Sequence, residues 1–485
     1  MNPKCLDEPS DVVLAVWQEQ LEQAKDKPWL ASLLLRQGEQ IYRRFAYFYA
    51  QMLALPRKTR RLVQKRLATT LVGAALLLAL AGPIAPAVHA ATITVHPGST
   101  GVNGSDGGCS LVEAILTANT GTYSSADCDG GTAGADTITL AGNTYSYSSF
   151  YGVGLSILPH ITSDITIDAN SATIHRASGG GYAFRIESGG NLTLNEATLT
   201  GSFGDYAAVY NNESTATINN CTITGSAGPA VYNFQGTTTV NSSTISGNIG
   251  GRAGMGVYNA AVELPAVMTI NNSTITNNNS TGSAGGGIAN GFIATAVINL
   301  NQTIVSGNSS SSGGSEIYNF FSGVINSSQN VLGEYAKTDA QAFYGFTPSG
   351  TDKTATSDGS DPTPLTSILN TTLANNGTKP HPFTHALVSG SPAIDSIPID
   401  GTTCIAGITV DQRGAVRADG VNMGGTACDA GAFEYASSQT PTAVTIQGLM
   451  AQGEGQAGTA VVGVTGVLAL LTGGWLAGVR RRKAK

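Results

Sequence analysis

Seven ionisable side chains crowd into one stretch of a sparsely charged sequence: His160, Asp164, Asp168, His175, Arg176, Arg185 and Glu187. Such a group could act on a polymer. Glycoside hydrolysis needs two carboxylates flanking the scissile bond, and eliminative cleavage needs a carboxylate-bound Ca²⁺ and a base to take a proton. Beyond the cluster, residues 190–333 hold one basic residue, Arg252, and the scattered carboxylates Glu196, Asp205, Glu213, Glu263 and Glu316, with no Asp-x-Asp or Asp-Asp pair. Catalysis needs convergent groups. The cluster therefore reads first as the polar end of a repeat array, and no catalytic residue is assigned. A polysaccharide lyase or glycoside hydrolase is the alternative that it keeps open.

Two other groupings invite a functional reading. Asp127-Cys128-Asp129-Gly130 is similar to part of a calcium loop, but no Glu follows at the required distance. A disulfide-held turn accounts for it, with bound Ca²⁺ as the alternative, and no other cofactor is expected. Asp395, Asp411, Arg413, Arg417 and Glu434 could form a recognition patch, or an ion-paired cap over the last coil. Cys5 falls within residues 1–51; of the other five cysteines, four form two local pairs, Cys109–Cys128 and Cys404–Cys428, read as disulfides of an exported chain. Neither pair has zinc-site spacing, so no metal is assigned. Cys221 is left over and reads as a buried thiol.

The elements that must position these groups are repeats. A phrase of strand, small polar residues and Thr-Ile recurs between residues 165 and 333, anchored at Leu199, Ile223, Ile245, Ile275 and Ile304. In phase with it run Val209-Tyr210-Asn211, Val231-Tyr232-Asn233, Val257-Tyr258-Asn259, Ile288-Ala289-Asn290 and Ile317-Tyr318-Asn319. Self-similarity at 22 to 30 residues, with β-branched alternation and no helical spacing, predicts a solenoid of parallel strands. Its turn should be right-handed, the usual sense of parallel crossovers.

If the Val and Ile of the second phrase point inward, the next residue points outward. Tyr210, Tyr232, Tyr258 and Tyr318 then form an external file, interrupted by Ala289. Two readings stand for it: strand-forming residues covered by loops, or a platform for stacking sugar rings. Asn211, Asn233, Asn259, Asn290 and Asn319 turn inward at a corner, where carboxamides can bond from coil to coil, and are read as structural.

Charge and hydropathy place this array outside the cell. Residues 1–66 carry 12 basic and 7 acidic groups, and residues 480–485 carry five basic ones. Residues 91–458 hold 8 basic against 25 acidic groups, a net −17, which repels nucleic-acid phosphates. Arg57 to Arg66, the apolar run Leu67–Ala81 and Val88-His89-Ala90 form a secretory signal, with cleavage between Ala90 and Ala91. Residues 1–51 are either an over-extended start or a cytoplasmic piece with amphipathic helices. Residues 459–479 are uncharged, long enough to cross a bilayer, and followed by Arg480-Arg481-Arg482-Lys483, so a membrane anchor with a cytoplasmic tail is expected. No Leu-Pro-x-Thr motif precedes it, which disfavours a cleaved sorting tail.

Both ends of the array look specialised, as solenoid ends must be. Ser110-Leu111-Val112-Glu113 is a capping-box pattern opening a short helix, with Leu111, Ile115 and Ala118 on one face. Cys109-Ser-Leu-Val-Glu-Ala-Ile-Leu-Thr-Ala-Asn119, with Cys128 and Asp136-Thr-Ile138, resembles the CSLREA domain of bacterial surface β-helix proteins, with Val112 at the usual Arg. Gly390-Ser-Pro-Ala-Ile-Asp395, Asp411-Gln-Arg-Gly414, Arg417 and Cys428-Asp-Ala-Gly-Ala-Phe-Glu434 resemble a choice-of-anchor Q domain, with Ser396-Ile397 replacing the usual Ala-Gly. The resemblances imply display on a surface rather than a reaction.

The expected order is a signal over 52–90, an amino-terminal cap over 91–160, β-helix repeats over 161–333 and a connection over 334–372. An anchor-type cap follows over 373–435, then a tether over 436–458, the transmembrane anchor over 459–479 and a basic tail over 480–485. The expected class is an all-β right-handed parallel β-helix, acting by binding, as an adhesin or envelope component, on glycan or another cell surface.

Overall fold

Alternation of small β-branched residues with Thr and Asn leaves each coil one apolar face that it cannot bury alone. Stacking buries it. The computed structural model describes residues 91–435 except 102–106, 122–126, 129–134, 153–154, 188, 202–203, 322, 378–381, 399–403, 405–407 and 418–426. The expected signal and Ala90, the tether, the transmembrane anchor and the basic tail lie outside the described residues. Among the described residues, no helix is long and apolar enough to cross a membrane. The chain forms two units, Met1–Phe433 and Glu434–Lys485, and the repeats belong to the first.

The fold is a parallel β-solenoid of about eight turns, of the right-handed type. Its three long sheets are all parallel. The first runs from Thr92–Thr94 through Asp164–Asp168, Asn191–Asn195 and Thr215–Asn219 to Gly323–Ser328. The second runs from Thr144–Tyr147 through Thr173–Arg176 and Thr222–Thr224 to Lys353–Thr354. The third runs from Phe184–Ile186 through Val209–Asn212, Val231–Phe234, Val257–Ala260, Ile288–Asn290 and Ile317–Asn319 to Phe343–Tyr344. Like residues stack on like: Leu194 on Ile218 on Val240 on Ile270 on Leu300, and Val209 on Val231 on Val257 on Ile288 on Ile317. All are fully buried, each side chain contributing about 1.5–3 kcal/mol.

Register corrects one anchor. Ile275 pairs with Val305, not Ile304, which pairs with Thr274 on the outward file. The corner between the first and second sheets is made by residues in the left-handed region: Asn170 with Ser171, then Glu196, Asn220, Ser242, Asn272, Gln302 and Gln329 singly, at φ of 43 to 68°. Inside that corner Cys221 leads a second file, in which each backbone N–H donates to the next coil's side chain. The bonds run Cys221 N to Ser243 Oγ (3.0 Å), Ser243 N to Ser273 Oγ (3.2 Å), Ser273 N to Thr303 Oγ1 (3.3 Å), Thr303 N to Asn330 Oδ1 (2.8 Å) and Asn330 N to Asp352 Oδ1 (2.9 Å). The longer repeats fold their excess into a small outer sheet, Ile249–Gly250, Asn279–Ser280 and Ser309–Ser310. A Cβ on Gly250 would lie 1.8 Å from the Ala227 carbonyl oxygen, so that strand needs glycine.

At the amino-terminal end, helix Leu111–Thr120 has a complete Ser110/Glu113 capping box and buries Leu111, Val112, Ala114, Ile115 and Ala118. Asn119 fixes it to the array, donating to the His160 carbonyl (2.6 Å) and accepting from Thr162 N (2.9 Å). Cys109 and Cys128 are joined, as are Cys404 and Cys428.

The carboxy-terminal part departs from expectation. Residues 334–372, read as a connection, carry the last strands: Phe343–Tyr344 pairs with Ile317–Tyr318, and Lys353–Thr354 with Val331–Leu332. The next segment does not lie over the last coil. It runs back along the outer face of the second sheet, because that face presents hydroxyls needing partners. Thr222 Oγ1 donates to the Phe383 carbonyl (2.5 Å), Thr244 Oγ1 to Gln412 Oε1 (2.6 Å), and Thr274 Oγ1 accepts from Ala432 N (3.1 Å). Ser246 Oγ meets His385 Nε2 at 2.8 Å, while His385 Nδ1 faces the Asn370 carbonyl at 2.8 Å.

Candidate ligand-binding surfaces

The charged cluster converges only in part, where His160, Arg185 and Glu187 come together. Arg176 is buried and donates to the carbonyls of Ser149 (2.9 Å) and Tyr147 (3.4 Å), with its guanidinium over Phe150. Asp164 and Asp168 open and close one strand of the first sheet, and His175 faces outward on the second. On the third sheet Arg185 pairs with Glu187, which lies 3.5 Å from His160. Asp164 and Asp168 thus share the first sheet, while Glu187 stands beside the third. The carboxy-terminal charges pair locally rather than over the last coil. Asp411 holds Arg413 at 2.6 Å, Arg413 lies over Phe433, buried Arg417 donates to the carbonyls of Asp429 (3.2 Å) and Gly431 (2.7 Å), and Asp395 N donates to Asp429 (2.8 Å). Among the described residues, no group of His, Cys, Asp and Glu could hold a metal.

The tyrosines do form an outward file, in register across the third sheet. Tyr182 and Tyr206, which the repeat phrase does not include, extend it. Ring centroids lie 4.8 Å apart for Tyr182–Tyr210, 5.2 Å for Tyr210–Tyr232 and 4.9 Å for Tyr232–Tyr258. Tyr182–Tyr210 and Tyr232–Tyr258 stack face on face, whereas Tyr210 and Tyr232 are tilted at 57°. Burial pushes the Tyr210 hydroxyl up to about 12. At Ala289 the file stops. Gly254 and Gly285 pass over that side chain so closely that a Cβ on either would lie 3.0 or 3.1 Å from it. The file resumes as Tyr318–Tyr344, with centroids 4.5 Å apart.

The asparagines of the same strands point inward and bond in series. Asn211 Nδ2 donates to Asn233 Oδ1 (2.9 Å), Asn233 to Asn259 (2.8 Å), Asn259 to Asn290 (2.9 Å) and Asn290 to Asn319 (2.9 Å). Asn319 Nδ2 ends the series on the carbonyls of Gly323 (3.0 Å) and Gly345 (2.9 Å).

Two further amide files were not singled out from the sequence. The buried one joins Asn248, Asn278 and Asn308 and ends on Glu316 (2.7 Å). The exterior one descends from Asn301 through Asn271, Asn241, Asn219 and Asn195 to Asp168, at 2.7 to 3.0 Å per step. The signal was present: each exterior Asn stands four residues before its in-register Leu, Ile or Val, and each buried one three after.

Beside the exterior file the returning segment leaves a groove of about 470 Å³. Asn195, Asn219 and Asn241 line one side, Ile408 and Val410 the other, and Asp168 is at the amino-terminal end. Ser242 Oγ ties the two sides by donating to the Val410 carbonyl (3.4 Å). Comparison with known families, curated proteins and solved structures finds no match to the chain.

Proposed function

We propose that this chain is an exported, membrane-anchored surface protein whose β-solenoid works by binding, as an adhesin or envelope component of the CSLREA and choice-of-anchor Q type, and does not catalyse a reaction. The observation that carries this reading is the division of labour among its polar groups. Carboxamides, hydroxyls and carboxylates are arranged in files that hold coil to coil, and Asp168, Glu316 and Asp352 each end such a file. Two disulfides suit an oxidising exterior. The basic tail after residues 459–479 supports anchoring with residues 91–458 outside.

The test is to present polysaccharides to the full chain and score retention and depolymerisation together, with and without Ca²⁺. Retention without new chain ends is expected. New reducing or unsaturated ends would overturn the non-catalytic reading and direct attention to Glu187, Arg185 and Asp164. Protease accessibility of residues 91–435 on intact cells tests the topology, and complete protection there would refute surface display.

A further inference from the structure

We infer that the groove beside the exterior asparagine file binds a neutral, linear polysaccharide laid along the solenoid axis. This rests on the binding reading above and gives it a place and a ligand class. Asn195, Asn219 and Asn241 are half-buried, and each uses one N–H and one lone pair on its neighbours in the file. A carboxamide has two N–H donors and two lone pairs. One donor and one acceptor per coil therefore remain for the groove, repeated at the strand spacing of about 4.8 Å. That is close to the advance of an extended sugar chain per residue. The facing side is different in kind: Ile408 and Val410 are half-buried and apolar.

Sugars offer the matching pair of surfaces, hydroxyls around the ring edge and C–H groups on the ring faces. A wall of paired donors and acceptors opposite an aliphatic wall suits them better than it suits a wholly apolar or wholly ionic ligand. Charge narrows the class. Asp168 and Glu196 line the groove, and among the described residues no basic side chain does. A uronate, sulfated or phosphorylated chain would meet like charge there, whereas a neutral glycan meets acceptors for its hydroxyls. The volume lies within the range of about 300–1,000 Å³ usual for sites of this kind.

The experiment uses the full chain and three probes: cellohexaose and mannohexaose as neutral ligands, and hexagalacturonate as the acidic one. Binding is read by calorimetry. A neutral hexasaccharide should bind, with the acidic one about tenfold or more weaker. Thr409→Trp places bulk at an exposed position between Ile408 and Val410 and leaves the asparagine file untouched. It should weaken binding by about tenfold, the equivalent of one or two hydrogen bonds, with an unchanged melting temperature. Binding that survives Thr409→Trp overturns the groove assignment. If binding is lost on Tyr232→Ala instead, the groove falls and the binding reading stands. Equal affinity for hexagalacturonate overturns the ligand class, and absence of binding to all three probes overturns the groove together with its glycan ligand. In that last case, retention of the chain on a non-glycan cell surface would keep the broader binding reading alive.

Discussion

Replacing Asn233 by Ala should destabilise the solenoid far more than replacing Asn319 in the same file. Asn233 is fully buried and serves five partners. Its Nδ2 donates to Asn259 Oδ1 (2.8 Å) and to the carbonyls of Gly236 (2.9 Å) and Val267 (3.1 Å). Its Oδ1 accepts from Asn211 Nδ2 (2.9 Å) and Thr238 Oγ1 (2.9 Å). Truncation orphans Asn259 Oδ1, leaves two buried carbonyls short of a donor, and removes the acceptor of a buried hydroxyl. At about 1–3 kcal/mol for each buried group left without any partner, and with some of these groups keeping other bonds, the loss is about 4 kcal/mol or more. Asn319 is half-buried and ends the file, so water can replace what Ala removes there, and about 1 kcal/mol is expected. Urea unfolding gives the midpoints, and hydrogen exchange at Val231 and Val257 reports whether the two neighbouring coils have separated. Equal losses at the two positions, or unchanged exchange around Asn233, would refute the claim that the file couples the coils.

Three further outcomes are expected. Burial lowers the pKa of His385, although its bond to the Asn370 carbonyl pulls upward. The unfolded chain therefore takes up a proton that the folded chain refuses, so stability should be full above the ordinary imidazole range and fall as pH drops through it; His385→Gln should remove that slope in melts recorded from about pH 8 to pH 5. The Cys221 thiol, pushed up to about 12 by burial, should resist iodoacetamide in the native protein and react once it unfolds, while Cys221→Ser, which matches Ser243 and Ser273 in the same file, should shift stability by about 1 kcal/mol or less. Asn272 is fully buried at φ 45° with neither carboxamide atom partnered, so Asn272→Gly should raise the thermal midpoint by relieving about 1 kcal/mol, and a lowered midpoint would sink that account.

The fold was legible because burial on one face forces apolar residues into period two and stacking forces the same phrase to return. The phase of Val209, Val231 and Val257 was enough to place Tyr outward and Asn inward. What was not legible depends on partners distant in sequence. Gln412 lies 190 residues from Thr222, and nothing local to either shows that they meet. The same holds for the final coil, where Phe343–Tyr344 is too short to carry an alternation. Ile304 misleads as an anchor because Ile304 and Val305 are both β-branched and both buried. The covering segment hides the outward one, so hydrophobicity alone could not choose between them.

The amide files also explain where carboxylates sit in so uncharged an array. A carboxamide that donates to the next one passes on its own need, so every file ends with an N–H seeking an acceptor. The groups able to end it without creating another need are those that only accept. Asn301 to Asn195 runs toward the amino terminus and ends on Asp168, while Asn248 to Asn308 runs the other way and ends on Glu316. The corner file closes on Asp352, and the Asn211 file closes on backbone carbonyls. At its opposite end Asn211 Oδ1 is left without a donor, because the residue in register beneath it is Ile186. Direction is thus set by which end carries the acceptor. Asp168, one of the seven clustered charges, finishes a structural file at the mouth of the groove. It can accept a further hydrogen bond there without a catalytic partner, which is what a binding site for hydroxyls requires.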